Sequence, residues 1–582
     1  MKKIMLFVLA LCLCFTAFGA AFAETAAADA TAAESSAAEV PAAEAPKAEM
    51  TTEELYQAGL NALNAEDYGK ALEYFQSAAD AGQIEACGVV GALYEAGVGV
   101  EQDYGKAMEY FLKGADLGDT VSLYALGELY FFGEGVEQDY GKAMEYYQMA
   151  ADAGDADALG SVGYLYDHGL GVEQDYGKAF EYYQKAADLG NAESLFNLGV
   201  MYHFGQGVEQ DYGKALEYYQ KAADLGDATA LNNLGDFYEY GKGVEQDYAK
   251  AMEYYQQAAD KGLAFAYTGI GDLYRGGKGV EQDLLKAGEY YKKALDQGAI
   301  IDATEAKESM DELAVSLRQA GLDAYYANDY SKAMEYFQLA ADLGNVESWR
   351  SIGYLYQWGF GVEQDFDRAL EYYHLAADQN DVKTLVNLGT MYLNGQGVEQ
   401  DSGKAIEYYQ KAADLGEPMG LYGMGYMYGV GIGVEQDYGK AMEYYQKAAD
   451  QGNVEALIDL GYMYDKALGV EQDYAKAFEY YQKAADLGNA TAIFNVGFMY
   501  YFGLGAEQDY GKAYDCLQRA ADLGVPSAMF GLGEFFYEGK GAEKDPDKAA
   551  EWYRKALEAG YEPDEGDQAH LKDVLGDEYQ QE

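Results

Sequence analysis

The chain has 582 residues, too many for one ordinary hydrophobic core. Its 100 acidic and 40 basic residues leave a net charge of −60, a field that repels nucleic acid and anionic membrane surfaces and suits a basic partner. The excess is spread along the chain: residues 172–207 hold Glu173, Asp175, Glu181, Asp188 and Glu193 against only Lys178 and Lys185.

The N-terminus reads as an export signal. Lys2 and Lys3 precede an apolar run from Ile4 to Phe18, and Ala21-Phe22-Ala23 is an A-x-A cleavage site. The run is short for a membrane span, so residues 1–23 are expected to be removed and stable membrane insertion is not expected afterwards. Cys12 and Cys14 each follow a leucine, where lipoprotein processing needs a small residue, which argues against a lipid anchor. The mature chain keeps Cys87 and Cys516, too far apart in the repeat to form a disulfide framework. Residues 24–50 are Ala/Glu/Ser/Pro-rich without periodicity and read as a disordered linker.

From there the sequence repeats. V-E-Q-D begins at Val100, Val136, Val172, Val208, Val244, Val280, Val362, Val398, Val434 and Val470, with eroded copies at Ala506 and Ala542. A strict period of this size predicts a solenoid. Each unit holds two helical patterns, "AESLFNLGVMY" at 192–202 and "DYGKAFEYYQKAADLG" at 175–190 in one copy. An aspartate stands where the second helix needs its N-cap: Asp103, Asp139, Asp175, Asp211, Asp247, Asp283, Asp365, Asp401, Asp437, Asp473, Asp509 and Asp545. Pro546 fits the first helical position, and Gly190 fits a left-handed residue past the last turn. The first helix ends on a glycine such as Gly97, Gly133, Gly169 or Gly205, and a second series runs from Gly99 to Gly541 two residues later; only Ala467 breaks the first series.

These residues carry a resemblance. The pattern A-x-x-x-L-G-x-x-Y-x-x-G-x-G-V-x-Q-D-Y-x-K-A-x-E-Y-Y-x-K-A-A-D-x-G, over roughly 84–298 and 346–560, resembles the Sel-one-like repeat (SLR) family of the tetratricopeptide-repeat (TPR-like) superfamily. The resemblance implies an all-α fold, a right-handed α-solenoid of antiparallel helix pairs with a concave face lined by the first helices. Residues 55–82 and 317–344 lack the glycine loop and look like plain tetratricopeptide units, so each opens an array of about seven pairs. The expected order is a signal peptide (1–23), a linker (24–50), a first array (51–298), a helical connector (299–316) acting as strut or hinge, a second array (317–560) and a polar C-terminal cap (561–582).

Copies within one chain can be compared with each other. Counting from the glycine inside the first helix, such as Gly163 or Gly199, positions −4, −1 and +3 are apolar or Tyr and form a core stripe with the glycine. Positions −3, +1 and +4 share another stripe and vary freely. A solvated face should be charged or small, yet 13 of these 36 positions are Phe or Tyr, against 15% aromatic overall. Candidate groove residues in the first array are Tyr124, Phe131, Tyr164 and Phe196, with an acidic middle of Asp236, Glu239 and Asp272. In the second array they are Tyr354, Tyr422, Tyr426, Tyr462, Phe494, Phe498, Tyr501, Phe530 and Tyr537. The competing reading is that some of these rings pack on the adjacent repeat. Most of the 59 tyrosines recur in every copy and read as scaffold.

Catalytic chemistry finds little support. Four histidines, no H-E-x-x-H, no paired CxxC, no P-loop, no Ser-x-x-Lys and no EF-hand loop leave no catalytic, metal or cofactor set. His168 and His203 lie in neighbouring copies and are a weak metal pair at most. The expectation is a non-enzymatic, exported scaffold, periplasmic or secreted, that binds protein or peptide segments. Cell-wall fragment binding, related weak enzyme activity and a secreted host-interaction role stand as alternatives.

Overall fold

The computed structural model describes residues 50–299 and 305–576, and the expected signal peptide and nearly all of the linker lie outside them. The described residues are all-α. They fall into two compact units, with the division inside one helix: residues up to Asp283 and from Lys293 belong to the first unit, Leu284–Lys292 and everything from residue 305 to the second.

The first unit opens with α1 (Thr52–Asn64) and α2 (Tyr68–Asp80). Pairs with the long glycine loop follow: α3 (Ile84–Ala96) and α4 (Tyr104–Asp116), α5 (Thr120–Phe132) and α6 (Tyr140–Asp152), α7 (Ala156–His168) and α8 (Tyr176–Asp188). Then come α9 (Ala192–Phe204) and α10 (Tyr212–Asp224), α11 (Ala228–Tyr240) and α12 (Tyr248–Asp260), and α13 (Ala266–Gly276), followed by α14 (Leu284–Asp296), the helix inside which the division falls. The second unit repeats the plan. It has α15 (Glu305–Tyr326) with α16 (Tyr330–Asp342), α17 (Val346–Trp358) with α18 (Phe366–Asp378), and α19 (Val382–Asn394) with α20 (Ser402–Asp414). It continues through α21 (Pro418–Val430), α22 (Tyr438–Asp450), α23 (Val454–Lys466), α24 (Tyr474–Asp486), α25 (Ala490–Phe502), α26 (Tyr510–Asp522), α27 (Pro526–Glu538), α28 (Pro546–Glu558) and the closing α29 (Glu565–Leu575). From α1 to α13, and again from α15 to α29, each helix packs on its chain neighbours. One continuous helix, α15, covers both the end of the connector segment and the first helix of the following pair.

Each residue of the repeated block has a mechanical task. Asp175 accepts from the Lys178 backbone N–H at 3.0 Å and caps α8, and Asp139, Asp211, Asp401 and Asp509 do the same for their helices; each such cap stabilises by about 1 kcal/mol. The glutamine one residue earlier closes the other helix: Gln174 Nε2 donates to the Asp167 carbonyl at 2.6 Å, satisfying an orphan acceptor at the end of α7. Gly169 ends that helix at φ 66. Ala467, the exception in its series, takes the same left-handed conformation at φ 57, so a side chain there is strained rather than accommodated by a different turn. A Cβ on Gly171 would stand 2.6 Å from the Tyr140 carbonyl carbon; that glycine lets the loop rest on the start of the preceding pair's second helix.

The core follows the same logic. A Cβ on Gly199 would meet the Tyr219 ring at 2.6 Å, so the helical glycine is the seat of a buried tyrosine from the second helix of its own pair. The core stripe is wider than periodicity suggested: position +2, Leu165, Met201, Phe237 and Met427 among others, is fully buried, and so is −5. Between repeats a second ladder forms. The first tyrosine of the Tyr-Tyr pair donates to the glutamine of the previous repeat, Tyr182 to Gln148 at 2.8 Å and Tyr218 to Gln184 at 2.9 Å. The tyrosine ending the first helix stacks on that same ring, with centroids of Tyr166 and Tyr182 5.9 Å apart. Lys178 covers the Tyr166 ring at 4.7 Å. These recurrent rings are scaffold.

Candidate interaction site

The face built by successive first helices carries the residues that differ between copies, and the structure sorts them into three groups. Tyr124, Phe196 and Tyr422, all at −3, lean on the buried tyrosine of their own pair, with centroids 5.5, 5.7 and 5.6 Å from Tyr147, Tyr219 and Tyr445. Phe131 sits among Tyr140, Tyr147 and Tyr164. Phe530 is buried against Tyr553 and Tyr561. Tyr501 packs on Phe535 and bonds Glu538, and Tyr537 donates to Asp573 of α29 at 2.9 Å. These rings are partly walls of the repeat interface.

The acidic middle of the first unit is not an open acidic surface. Glu239 is 2% exposed, accepts from the Tyr255 hydroxyl at 2.8 Å and pairs with Lys278 at 2.8 Å. Asp236 Oδ1 lies 2.7 Å from the same hydroxyl, whose one hydrogen the two carboxylates share, and Asp272 pairs with Arg275 at 3.1 Å. The buried tyrosine is the reason: its hydroxyl emerges at +1 and +4 and needs an acceptor there. Gln357, Glu128 and Glu534 serve it in other copies.

The third group is open. Position +1 of the second unit presents Tyr354, Tyr426, Tyr462 and Phe498, 38%, 38%, 49% and 45% exposed. Phe498 lies between Phe494 and Phe502 at 6.3 and 4.6 Å, and Tyr354 is 6.2 Å from Trp358, so the row is continued by i,i+4 neighbours. Position +5, just before the terminal glycine, adds exposed Phe132, Phe204, Tyr240, Trp358 and Phe502. The sequence reading stopped at +4 and missed that row; the same count between copies, carried one residue further, finds it.

Two cavities open on this face, one in each unit, and they occupy the same register. The first, of about 380 Å³, spans α5, α7 and α9. The second, of about 470 Å³, spans α15, α17 and α19. Both take aromatics at +4 and +5 of the leading helix (Phe131 and Phe132; Tyr325 and Tyr326). Both take a serine and a tyrosine at −2 and +1 of the middle helix (Ser161 and Tyr164; Ser351 and Tyr354) and an asparagine at −2 of the third, Asn197 or Asn387. Their charges are opposite: Glu128, Asp157 and Glu193 in the first, Arg318, Arg350 and Lys383 in the second. Burial, then the charge of its acidic neighbours, pushes the Glu193 carboxyl above its ordinary range; Glu128 is raised mainly by burial, with its tyrosine bonds working the other way.

His168 stacks on Tyr164 with centroids 4.0 Å apart, and His203 packs edge-on to Phe237 at 4.9 Å. No group of three or more metal-ligating side chains converges among the described residues. Cys87 and Cys516 are free. No helix among the described residues is long and apolar enough to cross a membrane.

The chain matches the Sel1 repeat fourteen times in succession from residue 54 to 561, at 54–83, 84–119, 120–155 and onward, including 264–298 and 307–345 on either side of the connector. A Sel1 repeat protein from Oxalobacter formigenes is 33% identical over 41% of this chain and 99% of its own, with a TM-score of 0.40. A protective antigen of uropathogenic Escherichia coli strains with an SLR fold is 26% identical over 86% of this chain and 93% of its own, with a TM-score of 0.35. Yeast Tom70 is 16% identical over 78% of this chain and 95% of its own, with a TM-score of 0.30. No curated protein matches the chain. Sel1-repeat proteins in general mediate protein–protein interaction and are typically non-enzymatic. With tandem matches across the repeat region and an all-α solenoid of paired helices beneath them, the chain belongs to the Sel1 repeat family.

Proposed function

We propose that this protein is a non-enzymatic, extracytoplasmic interaction scaffold that holds segments of protein partners along its first-helix face. The supporting observation is the open aromatic row at +1 of the second unit. Tyr354, Tyr426, Tyr462 and Phe498 are anchored by half or more of their area in the fold and leave 38–49% open, and rings held this way supply rigid contact area at low entropic cost. The signal-like pattern of residues 1–23 supports a location outside the cytoplasm, in the periplasm or beyond. The net charge of −60 favours a partner with basic residues flanking its apolar anchors and disfavours nucleic acid.

The test is a pull-down from envelope extract with the mature chain and its Tyr426→Ala, Tyr462→Ala, Phe498→Ala triple variant. The reading expects a discrete protein partner, retained by the wild type and lost by the variant at an unchanged melting temperature. Equal recovery by both chains, or enrichment of cell-wall glycan in place of protein, would overturn it.

A further inference from the structure

The cavity across α5, α7 and α9 lies where a helix without a ring at −3 stands between two that carry one. Neighbouring copies place Tyr124 and Phe196 there, whereas the middle helix places Gly160, whose bare Cα lets the next first helix approach closely. A Cβ on Gly160 would meet the Ser194 Oγ at 2.9 Å. Ser194 is fully buried and its hydroxyl has no hydrogen-bond partner. In the equivalent copies that carry a hydroxyl, it is bonded to the helix cap: Ser122 to Asp119, Ser348 to Asn345 at 2.8 Å, Thr384 to Asp381 at 2.7 Å. In this copy Asn191 accepts from the Ser194 backbone N–H at 2.7 Å and turns its amide to Asp157, donating at 2.7 Å. That leaves the hydroxyl on the cavity wall and orients the carboxylate at the rim. Buried hydroxyls without a partner are rare.

Three carboxylates line this space with no lysine or arginine among the lining residues. Glu128 accepts from Tyr147, and Asp157 from Asn191; neither of these donors is charged. Charges of one sign, with Glu128 half-buried and Asp157 and Glu193 exposed at the rim, stand beside the rings of Tyr124, Phe131 and Tyr164 and make an environment that suits a planar cation. The carboxylates take its N–H groups and the ring faces take its plane.

We propose that this cavity receives the guanidinium of an arginine side chain presented by a partner segment. The proposal rests on the scaffold reading above and names what the first unit recognises. Arginine fits better than lysine because it is planar, stacks on tyrosine and donates to two carboxylates at once.

The probe is N-acetylarginine amide, titrated into the full mature chain by saturation-transfer NMR, with N-acetylcitrulline amide as the neutral isostere and N-acetyllysine amide as the compact cation. Arginine is expected to bind at least about tenfold more tightly than citrulline and more tightly than lysine, and the E128Q/E193Q double variant is expected to lose about tenfold. Asp157→Asn, at an exposed side chain, gives a smaller loss and guards against a folding defect in the double variant. Citrulline binding as tightly as arginine, lysine binding more tightly, or unchanged affinity in both variants at a wild-type melting temperature overturns the proposal. The second-unit triple variant is expected to bind the probe normally, so loss of this pocket and loss of the aromatic row register as separate results.

Discussion

The two cavities are framed by the same residue types at the same positions and differ in what their charges already touch. In the second unit Arg350 Nη1 reaches both carboxylate oxygens of Asp381, at 2.6 and 2.7 Å, and Arg318 Nε lies 2.9 Å from Glu347. Its arginines are therefore largely spent on cross-repeat ion pairs. Among the described residues lining the first cavity, no lysine or arginine stands beside Glu128, Asp157 and Glu193. The repeat thus copies a frame of aromatic, serine and asparagine positions, and the charged positions decide whether the frame becomes joinery or an open site.

That contrast breaks most visibly at Arg350. Arg350→Gln strands a carboxylate whose side chain is only 9% exposed, and losing one partner of such a pair costs about 3 kcal/mol. The bonds that Asp381 also accepts from the backbone N–H and hydroxyl of Thr384 do not replace the missing charge. A denaturant midpoint for the second unit equal to wild type would show that the pair is surface decoration and the comparison mistaken.

A carboxylate in the first unit gives the opposite sign. Burial, then the charges of Glu134 and Glu128, hold the Glu95 carboxyl at about 7, against 4.5 in the unfolded chain. A group raised on folding contributes stability that is complete below pH 4.5 and is lost as the pH climbs through 7. Glu95→Gln removes this loss, so the variant should exceed wild type by about 2–3 kcal/mol at pH 8, and the gain should vanish by pH 4.5. Melting curves of both chains across that range supply the measurement, and the difference between them cancels the self-repulsion of the other acids. A gain independent of pH would mean that Glu95 acts through packing rather than charge.

Much of this was legible in the sequence, for a physical reason: the parts that every copy must make identically recur letter for letter. The period, the glycine turns and the aspartate caps belong to that set. The glutamine of V-E-Q-D carries no legible role in the sequence, because its acceptor is a carbonyl seven residues back whose side chain varies freely. The acidic middle misled for a related reason. Asp236 and Glu239 stand on a face that looks free when helices are taken singly, and only the packed second helix brings the Tyr255 hydroxyl to them. The cavity was hidden more deeply, since its origin is a side chain that is absent. Gly160 on a helix face reads as a weak helix former until Ser194 of the next first helix is seen to lie against its bare Cα, between two copies that carry rings.

The smallest effect is the most discriminating, because stability and binding should move apart. Glu128→Gln in the first unit keeps an acceptor for the Tyr147 hydroxyl and removes a charge that burial already disfavours. The variant should therefore be equal to wild type or more stable by up to about 1 kcal/mol at pH 7, read as a rise of a few degrees at most in melting temperature. The same substitution should weaken the arginine probe. A residue kept only for packing would lower both quantities when changed, and an idle surface acid would alter neither. A carboxylate retained at a cost in stability, where a glutamine would serve the Tyr147 hydroxyl as Gln357 serves Tyr373, is what the proposed arginine ligand accounts for.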